Sequence, residues 1–136
     1  MANTPMRTLI VEDTLINQEF LKMIMADWGE CIVVESGEAA VAVFADSLEN
    51  SPFDIIFMDI MLPGIDGLQA LERIRALETQ KGITPGNEAK AIITTALDDD
   101  GKASRAYIHG QAISYITKPI RQNIIEDELR KFGLIQ

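Results

Sequence analysis

Short apolar runs alternate with amphipathic stretches along the whole chain, and no other feature of the sequence constrains the fold as strongly. The runs are of strand length and rich in isoleucine and valine, which is typical of strands that are buried on both faces of a sheet. The sequence therefore predicts five strands, at residues 8–11, 32–34, 54–58, 91–95 and 113–116.

The stretches between these runs space their apolar residues as helices do. They predict helices at residues 15–26, 37–44, 68–77, 99–109 and 121–132, and the first three are expected to be capped by Thr14, Ser36 and Asp66. Residues 79–90, which include two glycines and a proline, are predicted to form a long surface loop. Strands alternating with helices predict an α/β class, with a doubly wound parallel sheet between two helical layers.

The composition excludes several classes of protein. The 136 residues are 47% hydrophobic and 24% charged, which predicts a single globular domain over residues 1–136. Cys31 is the only cysteine and His109 the only histidine, so disulfide scaffolds, zinc sites of Cys and His, and nucleophile–histidine triads are excluded. One free cysteine fits the reducing cytoplasm.

The charge and the hydropathy pattern bear on partners and location. Asp and Glu number 21 against 12 Lys and Arg, giving a net charge of -9, and the cations are scattered. Direct binding to nucleic acid is therefore not expected. No apolar run approaches the length of a membrane span, and the N-terminal segment lacks the pattern of a signal peptide. We expect a cytoplasmic protein without a membrane segment.

Polar residues follow the predicted strands at their carboxyl ends, where a parallel sheet of this class forms its crevice. Glu12 and Asp13 follow the first strand and Asp59 the third, the fourth ends in Thr94 and Thr95, and the fifth leads to Lys118. Three carboxylates in one crevice repel one another unless a cation joins them, and oxygen ligands suit Mg²⁺. With a metal, a lysine and a hydroxyl, the crevice would bind a phosphoryl group, and one carboxylate would be the nucleophile.

Each of these features also has a structural explanation. An acidic pair after a strand is commonly a loop start or a helix cap, and threonines are ordinary strand residues. The placement of all of them at the same end of successive strands is what favours a site.

The motifs at these strand ends resemble response-regulator receiver domains of two-component signalling. The resemblance covers nearly the whole chain and rests on VED at 11–13, MDIMLPGIDGL at 58–68, Thr95-Ala96, Gly110, and YITKP at 115–119. It implies a flavodoxin-like sheet with strand order 2-1-3-4-5. It also implies a cis peptide bond between Lys118 and Pro119.

The resemblance assigns a role to each site residue. Asp59 is expected to be the phosphorylated aspartate, and Mg²⁺ is expected to bind Glu12, Asp13, Asp59 and the backbone carbonyl of Met61. Lys118 is expected to pair with the phosphoryl group. Thr95 resembles the hydroxyl that turns toward that group, and Tyr115 the aromatic residue whose rotamer responds.

The resulting function is a signalling module, not an enzyme, that assists its own Mg²⁺-dependent phosphorylation and dephosphorylation. Its donor would be a histidine kinase or a histidine phosphotransfer protein. A downstream protein or effector domain would recognise the surface formed by the fourth predicted helix, the fifth strand and the fifth predicted helix.

Three alternatives differ from this function. A haloacid-dehalogenase-type phosphatase also uses Asp and Mg²⁺, but it needs an acid two residues after the nucleophile, where this chain has Met61. A receiver-like binding module would have lost phosphorylation, yet every acceptor-site residue is present. A flavodoxin would need backbone donors and hydroxyls in the loop after the first strand, which here is acidic.

Overall fold

A computed structural model describes residues 5–96 and 112–136 of the chain. Its five strands form one parallel sheet in the order β2-β1-β3-β4-β5, which confirms the predicted α/β class and strand order. The strands are β1 (Thr8–Val11), β2 (Cys31–Val34), β3 (Ile55–Asp59), β4 (Lys90–Thr95) and β5 (Ser114–Thr117). Each lies within one residue of its predicted bounds.

Four α-helices lie in the described part of the chain: α1 (Leu15–Met25), α2 (Gly37–Ser47), α3 (Gly67–Gln80) and α4 (Gln122–Lys131). A single 3₁₀ turn, Ala26–Trp28, follows α1. The helix predicted at 99–109, together with His109 and Gly110, lies outside the described residues.

The sheet separates two apolar cores, one on each face. Alternate residues of β1 and β3 pack against α2 and α3 through side chains such as Phe44 and Leu71. The intervening residues of β1 and β3 point to the other face of the sheet and pack against α1 and α4, where Ile24 and Ile125 are fully buried. This arrangement confirms the predicted three layers, and it leaves the carboxyl ends of the central strands as the edge where polar groups can meet.

Two of the three predicted helix caps form as expected. The Ser36 hydroxyl accepts a hydrogen bond from the Ala39 N–H at 3.1 Å, and Asp66 forms a capping box with Gln69. The prediction for Thr14 was wrong: it occupies the N-cap position, but its side chain makes no capping hydrogen bond. Its backbone N–H donates instead to the carboxylate of Glu12 at 3.0 Å.

The loop predicted at 79–90 is shorter than expected, because α3 continues to Gln80 and β4 begins at Lys90. Glu78 in the last turn of α3 is buried and pairs with Arg75 at 2.7 Å. Its other carboxylate oxygen accepts a hydrogen bond from the Ala89 N–H at 2.8 Å. Arg75 also donates to the Ala89 carbonyl at 2.8 Å, so both side chains tie the end of α3 to the residue before β4.

Candidate functional site

Two carboxylates are held side by side by neighbouring strands. Val11 pairs with Met58 in the parallel register of β1 and β3, so the next residue of each strand, Glu12 and Asp59, emerges at the same edge. Both side chains are buried, at 0% and 2% exposure, whereas Asp13 is exposed. One carboxylate oxygen from each of the three acids lies within 4.8 Å of the others. The structure therefore brings together the three acids that the sequence placed at these strand ends.

Hydrogen bonds to its backbone and to its carboxylate hold Glu12 in place. Its N–H donates to the Val34 carbonyl at 3.1 Å, and its Oε2 accepts from the Thr14 N–H at 3.0 Å. Its own carbonyl accepts a hydrogen bond of 2.7 Å from the side-chain amide of Gln18 on α1. The end of β1 is consequently fixed by β2, by the loop and by the first helix.

Lys118 reaches the two buried acids from the end of β5. Its Nζ lies 3.0 Å from Asp59 Oδ2 and 3.1 Å from Glu12 Oε1. Its backbone N–H donates to the Thr95 carbonyl at 2.7 Å, which ties this residue to β4. The bond to Pro119 is cis, as predicted.

The crowding of negative charge changes the acidity of Asp59. Burial, and after it the neighbouring carboxylate of Glu12, raise the pKa of Asp59 from 3.8 to about 6. The Lys118 ammonium and the N–H of Met61, which donates to Asp59 Oδ1 at 3.1 Å, oppose this shift. For Lys118, burial lowers the pKa, but hydrogen bonding and attraction to Asp59 and Glu12 outweigh it, so the pKa is raised.

The residues present fit a divalent cation. Three carboxylates face one ammonium, so the cluster carries an excess of negative charge. Glu12 Oε1 is buried and, although Lys118 forms an ion pair with it at 3.1 Å, it accepts no well-aligned hydrogen bond. A buried carboxylate oxygen without such a partner is costly, and a hard cation would satisfy it. Glu12, Asp13 and Asp59 are therefore suitable ligands for Mg²⁺.

The hydroxyl and aromatic residues named from the sequence lie on β4 and β5. Thr94 pairs with Ile116 and lies opposite Asp59 on the other side, while Thr95 pairs with Thr117. Both threonines are buried, and the Thr95 hydroxyl donates to the Ala96 carbonyl at 3.0 Å. Tyr115 is 40% exposed. The roles of Thr95 and Tyr115, and of the Met61 carbonyl, remain predictions.

Sequence reasoning assigned no role in the site to two residues that support it. A Cβ at Gly67 would collide with the Asp59 carbonyl oxygen, so this position at the start of α3 admits only glycine without a backbone shift. Gln18 is the other, and the signal for it was available. It shares a helical face with Leu21 and Met25, where a buried polar residue demands an explanation.

The model of the response regulator receiver domain family matches residues 8–130. The chain belongs to this family. It is therefore a two-component signalling receiver, and neither the phosphatase nor the flavodoxin alternative is supported. Within the part of the chain that the structure describes, no helix has the length and apolar character needed to cross a bilayer.

Curated relatives of this receiver domain are much larger proteins. It is 34% identical over 134 residues to "Probable histidine kinase 2" of Oryza sativa, covering 89% of this chain and 12% of that protein. It is 28% identical over 138 residues to the sensor histidine kinase GacS of Pseudomonas protegens, covering 93% of this chain and 13% of the relative. The receiver domain thus spans about an eighth of the length of these relatives.

Solved receiver structures share the fold. One is the receiver domain of Ssk1 of Saccharomyces cerevisiae, crystallised with the histidine phosphotransfer protein Ypd1; its TM-score is 0.80 at 24% identity, covering 98% of this chain and 92% of that one. Another is the receiver domain of the sensor histidine kinase PA1611 of Pseudomonas aeruginosa, with magnesium in its active-site cleft. Its TM-score is 0.73 at 24% identity, covering 94% and 97% of the two chains.

Proposed function

We propose that Asp59 of this receiver domain accepts a phosphoryl group from a histidine kinase or a histidine phosphotransfer protein. The observation that carries the proposal is a buried carboxylate 3.0 Å from a lysine ammonium, with two further carboxylates within 4.8 Å. A carboxylate oxygen of Asp59 attacks phosphorus as the bond to the donor histidine nitrogen breaks. The products are an acyl phosphate and a free imidazole, which takes up a proton.

Mg²⁺ is the cofactor that this site would hold, through Glu12, Asp13, Asp59 and the backbone carbonyl of Met61. When bound, the cation neutralises charge on the phosphoryl oxygens during transfer. Lys118 supplies a second positive charge, with its Nζ 3.0 Å from Asp59 Oδ2. In this way the domain assists its own phosphorylation and dephosphorylation while its output is a binding event.

The modified residue would signal through Thr95 and Tyr115. An acyl phosphate adds about two negative charges and new hydrogen-bond acceptors beside β4. The Thr95 hydroxyl, which now donates to a neighbouring carbonyl, turns toward them. Tyr115 then turns inward from its half-exposed position, and the surface of the predicted helix at 99–109, β5 and α4 changes for a downstream protein.

An apolar surface beside the site supports docking of the donor protein. Leu15, Ile16 and Met23 on α1 are 59% to 76% exposed, and a shallow groove joins this helix to Pro119 and Ile120. Exposed apolar side chains at the mouth of a charged crevice are typical of protein-binding surfaces. We propose that the donor packs on this surface, in the cytoplasm, when it presents its phosphohistidine.

Intact-mass analysis with Mg²⁺ and acetyl phosphate tests the proposal directly. We expect one added phosphoryl group on the wild type and none on Asp59→Asn. Asp127→Asn is the matched control, because Asp127 is an exposed carboxylate on α4 with a 72% exposed side chain, and this variant should be phosphorylated normally. A wild-type protein that stays unmodified, or turnover of a small phosphate ester, would contradict the proposal.

A further inference from the structure

Gln18 is a buried polar residue that the phosphoryl chemistry does not use. It is 6% exposed and lies one turn into α1, on the face that packs against the sheet. Its amide nitrogen donates a 2.7 Å hydrogen bond to the Glu12 carbonyl and lies 3.5 Å from the carboxylate of Glu35, which follows β2. A single amide group thus bridges the ends of two strands.

The Glu12 carbonyl needs this partner because of where the strand ends. Val11 is the last residue of β1 to pair with β2 and β3, so the Glu12 carbonyl lies beyond both ladders. Leaving a buried carbonyl unsatisfied is unfavourable, and water has little access to a residue with 0% exposure. The peptide group between Glu12 and Asp13 is therefore oriented from α1, and that peptide joins two of the three clustered acids.

We propose that Gln18 is a positioning residue for the cation site, acting through the Glu12 carbonyl to hold the carboxylates of Glu12 and Asp13 in their binding arrangement. The inference rests on the proposed function, since it concerns the same site. Groups that orient metal ligands without touching the metal commonly change metal affinity by 10-fold to 100-fold when they are removed.

The test compares two buried donors. Gln18→Met keeps the length of the side chain and removes the donor. Ser47→Ala is the matched control: the Ser47 hydroxyl is also buried and donates to a backbone carbonyl, that of Phe44 at 2.7 Å, but it lies at the end of α2. Calorimetric titration with MgCl₂ gives the dissociation constant of each variant, and the rate of phosphorylation by acetyl phosphate is measured across the same range of Mg²⁺.

We expect Gln18→Met to raise the Mg²⁺ dissociation constant about 10-fold, and to slow phosphorylation mainly at low Mg²⁺ with recovery at saturation. Ser47→Ala should leave the dissociation constant within about twofold, even where it destabilises the fold. A Gln18→Met constant within twofold of wild type, or an equal rise in Ser47→Ala, would overturn the inference while leaving the proposed function intact.

A measurement on the wild type keeps the inference testable even if the variant does not fold. The side-chain amide resonances of Gln18 should shift as MgCl₂ is added, along a curve with the same dissociation constant as the calorimetric titration. Resonances that do not move while Mg²⁺ binds would overturn the inference. A wild-type protein that binds no Mg²⁺ would instead overturn the proposed function.

Discussion

Removing the negative charge of Asp59 should stabilise the metal-free fold, although the same change abolishes phosphorylation. Asp59 is buried at 2% exposure beside the carboxylate of Glu12, and the ionised form is disfavoured in the folded state. The variant Asp59→Asn keeps the shape of the side chain and removes the charge. It resembles the protonated acid that the folded chain prefers at low pH.

The magnitude follows from the pKa of this carboxyl. A pKa of about 6 in the folded chain against 3.8 corresponds to about 3 kcal/mol of folding free energy once the group is ionised in both states. The amide nitrogen of Asn would face one of the two donors that now contact Asp59, Lys118 Nζ or the Met61 N–H, which offsets part of this gain. We expect Asp59→Asn to be more stable by about 2 kcal/mol at pH 7.5 without metal.

The pH dependence has a definite sign. Below pH 3.8 the carboxyl is protonated in both states and contributes no difference. Between pH 3.8 and about 6 the unfolded chain releases the proton while the folded chain keeps it, so the stability of the wild type falls as the pH rises. The advantage of Asp59→Asn should therefore be small near pH 4, grow through this window and level off above pH 7.

Urea unfolding in EDTA, followed by circular dichroism from pH 4 to pH 8, measures this difference. Asp13→Asn is the control, because Asp13 belongs to the same acidic cluster but is exposed, and its stability should stay within about 0.5 kcal/mol of wild type. With Mg²⁺ at about 100 times its dissociation constant, the wild type should gain about 2.7 kcal/mol and overtake Asp59→Asn. If Asp59→Asn is no more stable than wild type in EDTA at pH 7.5, the account of the buried charge is wrong.

Two further predictions concern other charged residues. Lys118→Met removes the ammonium shared by Asp59 and Glu12 and should cost about 2 kcal/mol at pH 7.5 in EDTA, and less at pH 5, where Asp59 is protonated; urea unfolding at the two pH values checks this. Glu78→Leu removes the acceptor of the Ala89 N–H and should cost about 2 to 3 kcal/mol, with faster hydrogen exchange at Ala89 by NMR but unchanged phosphorylation of Asp59.

The sheet was predictable from the sequence because its signal is local. Each central strand is an uninterrupted run of residues buried on both faces, so an apolar run predicts a strand without knowledge of its neighbours. The order of the strands is different, because it depends on pairing between residues far apart in the chain. It came from the family resemblance, which the sheet then confirmed.

The errors occurred at helix ends, where particular side-chain contacts override general residue preference. Thr14 has the side chain of a helix cap and occupies the N-cap position, but its hydroxyl accepts no capping hydrogen bond, and the hydrogen bond found at this residue is donated by its backbone N–H to Glu12. Helix α3 continues to Gln80, beyond the apolar pattern that predicted an end at residue 77. Glu78, an acid expected at a surface, is buried there against Arg75 and Ala89. The contact with Ala89 cannot be identified from helical spacing, since it depends on how the end of α3 meets a neighbouring segment.

The site depends both on local sequence pattern and on long-range packing. Placing Glu12, Asp13 and Asp59 at one edge required only that parallel strands share a direction, and the carboxylates do cluster. Their chemical properties, however, depend on burial, which differs completely between the adjacent residues Glu12 and Asp13. The raised pKa of Asp59 arises from that burial and from a neighbour on another strand, so it follows from the packed structure and not from residue spacing. A receiver domain with the same motif but a more solvent-exposed crevice would keep the phosphoacceptor aspartate. It would lose the electrostatic cost of burying that carboxylate, which Mg²⁺ relieves.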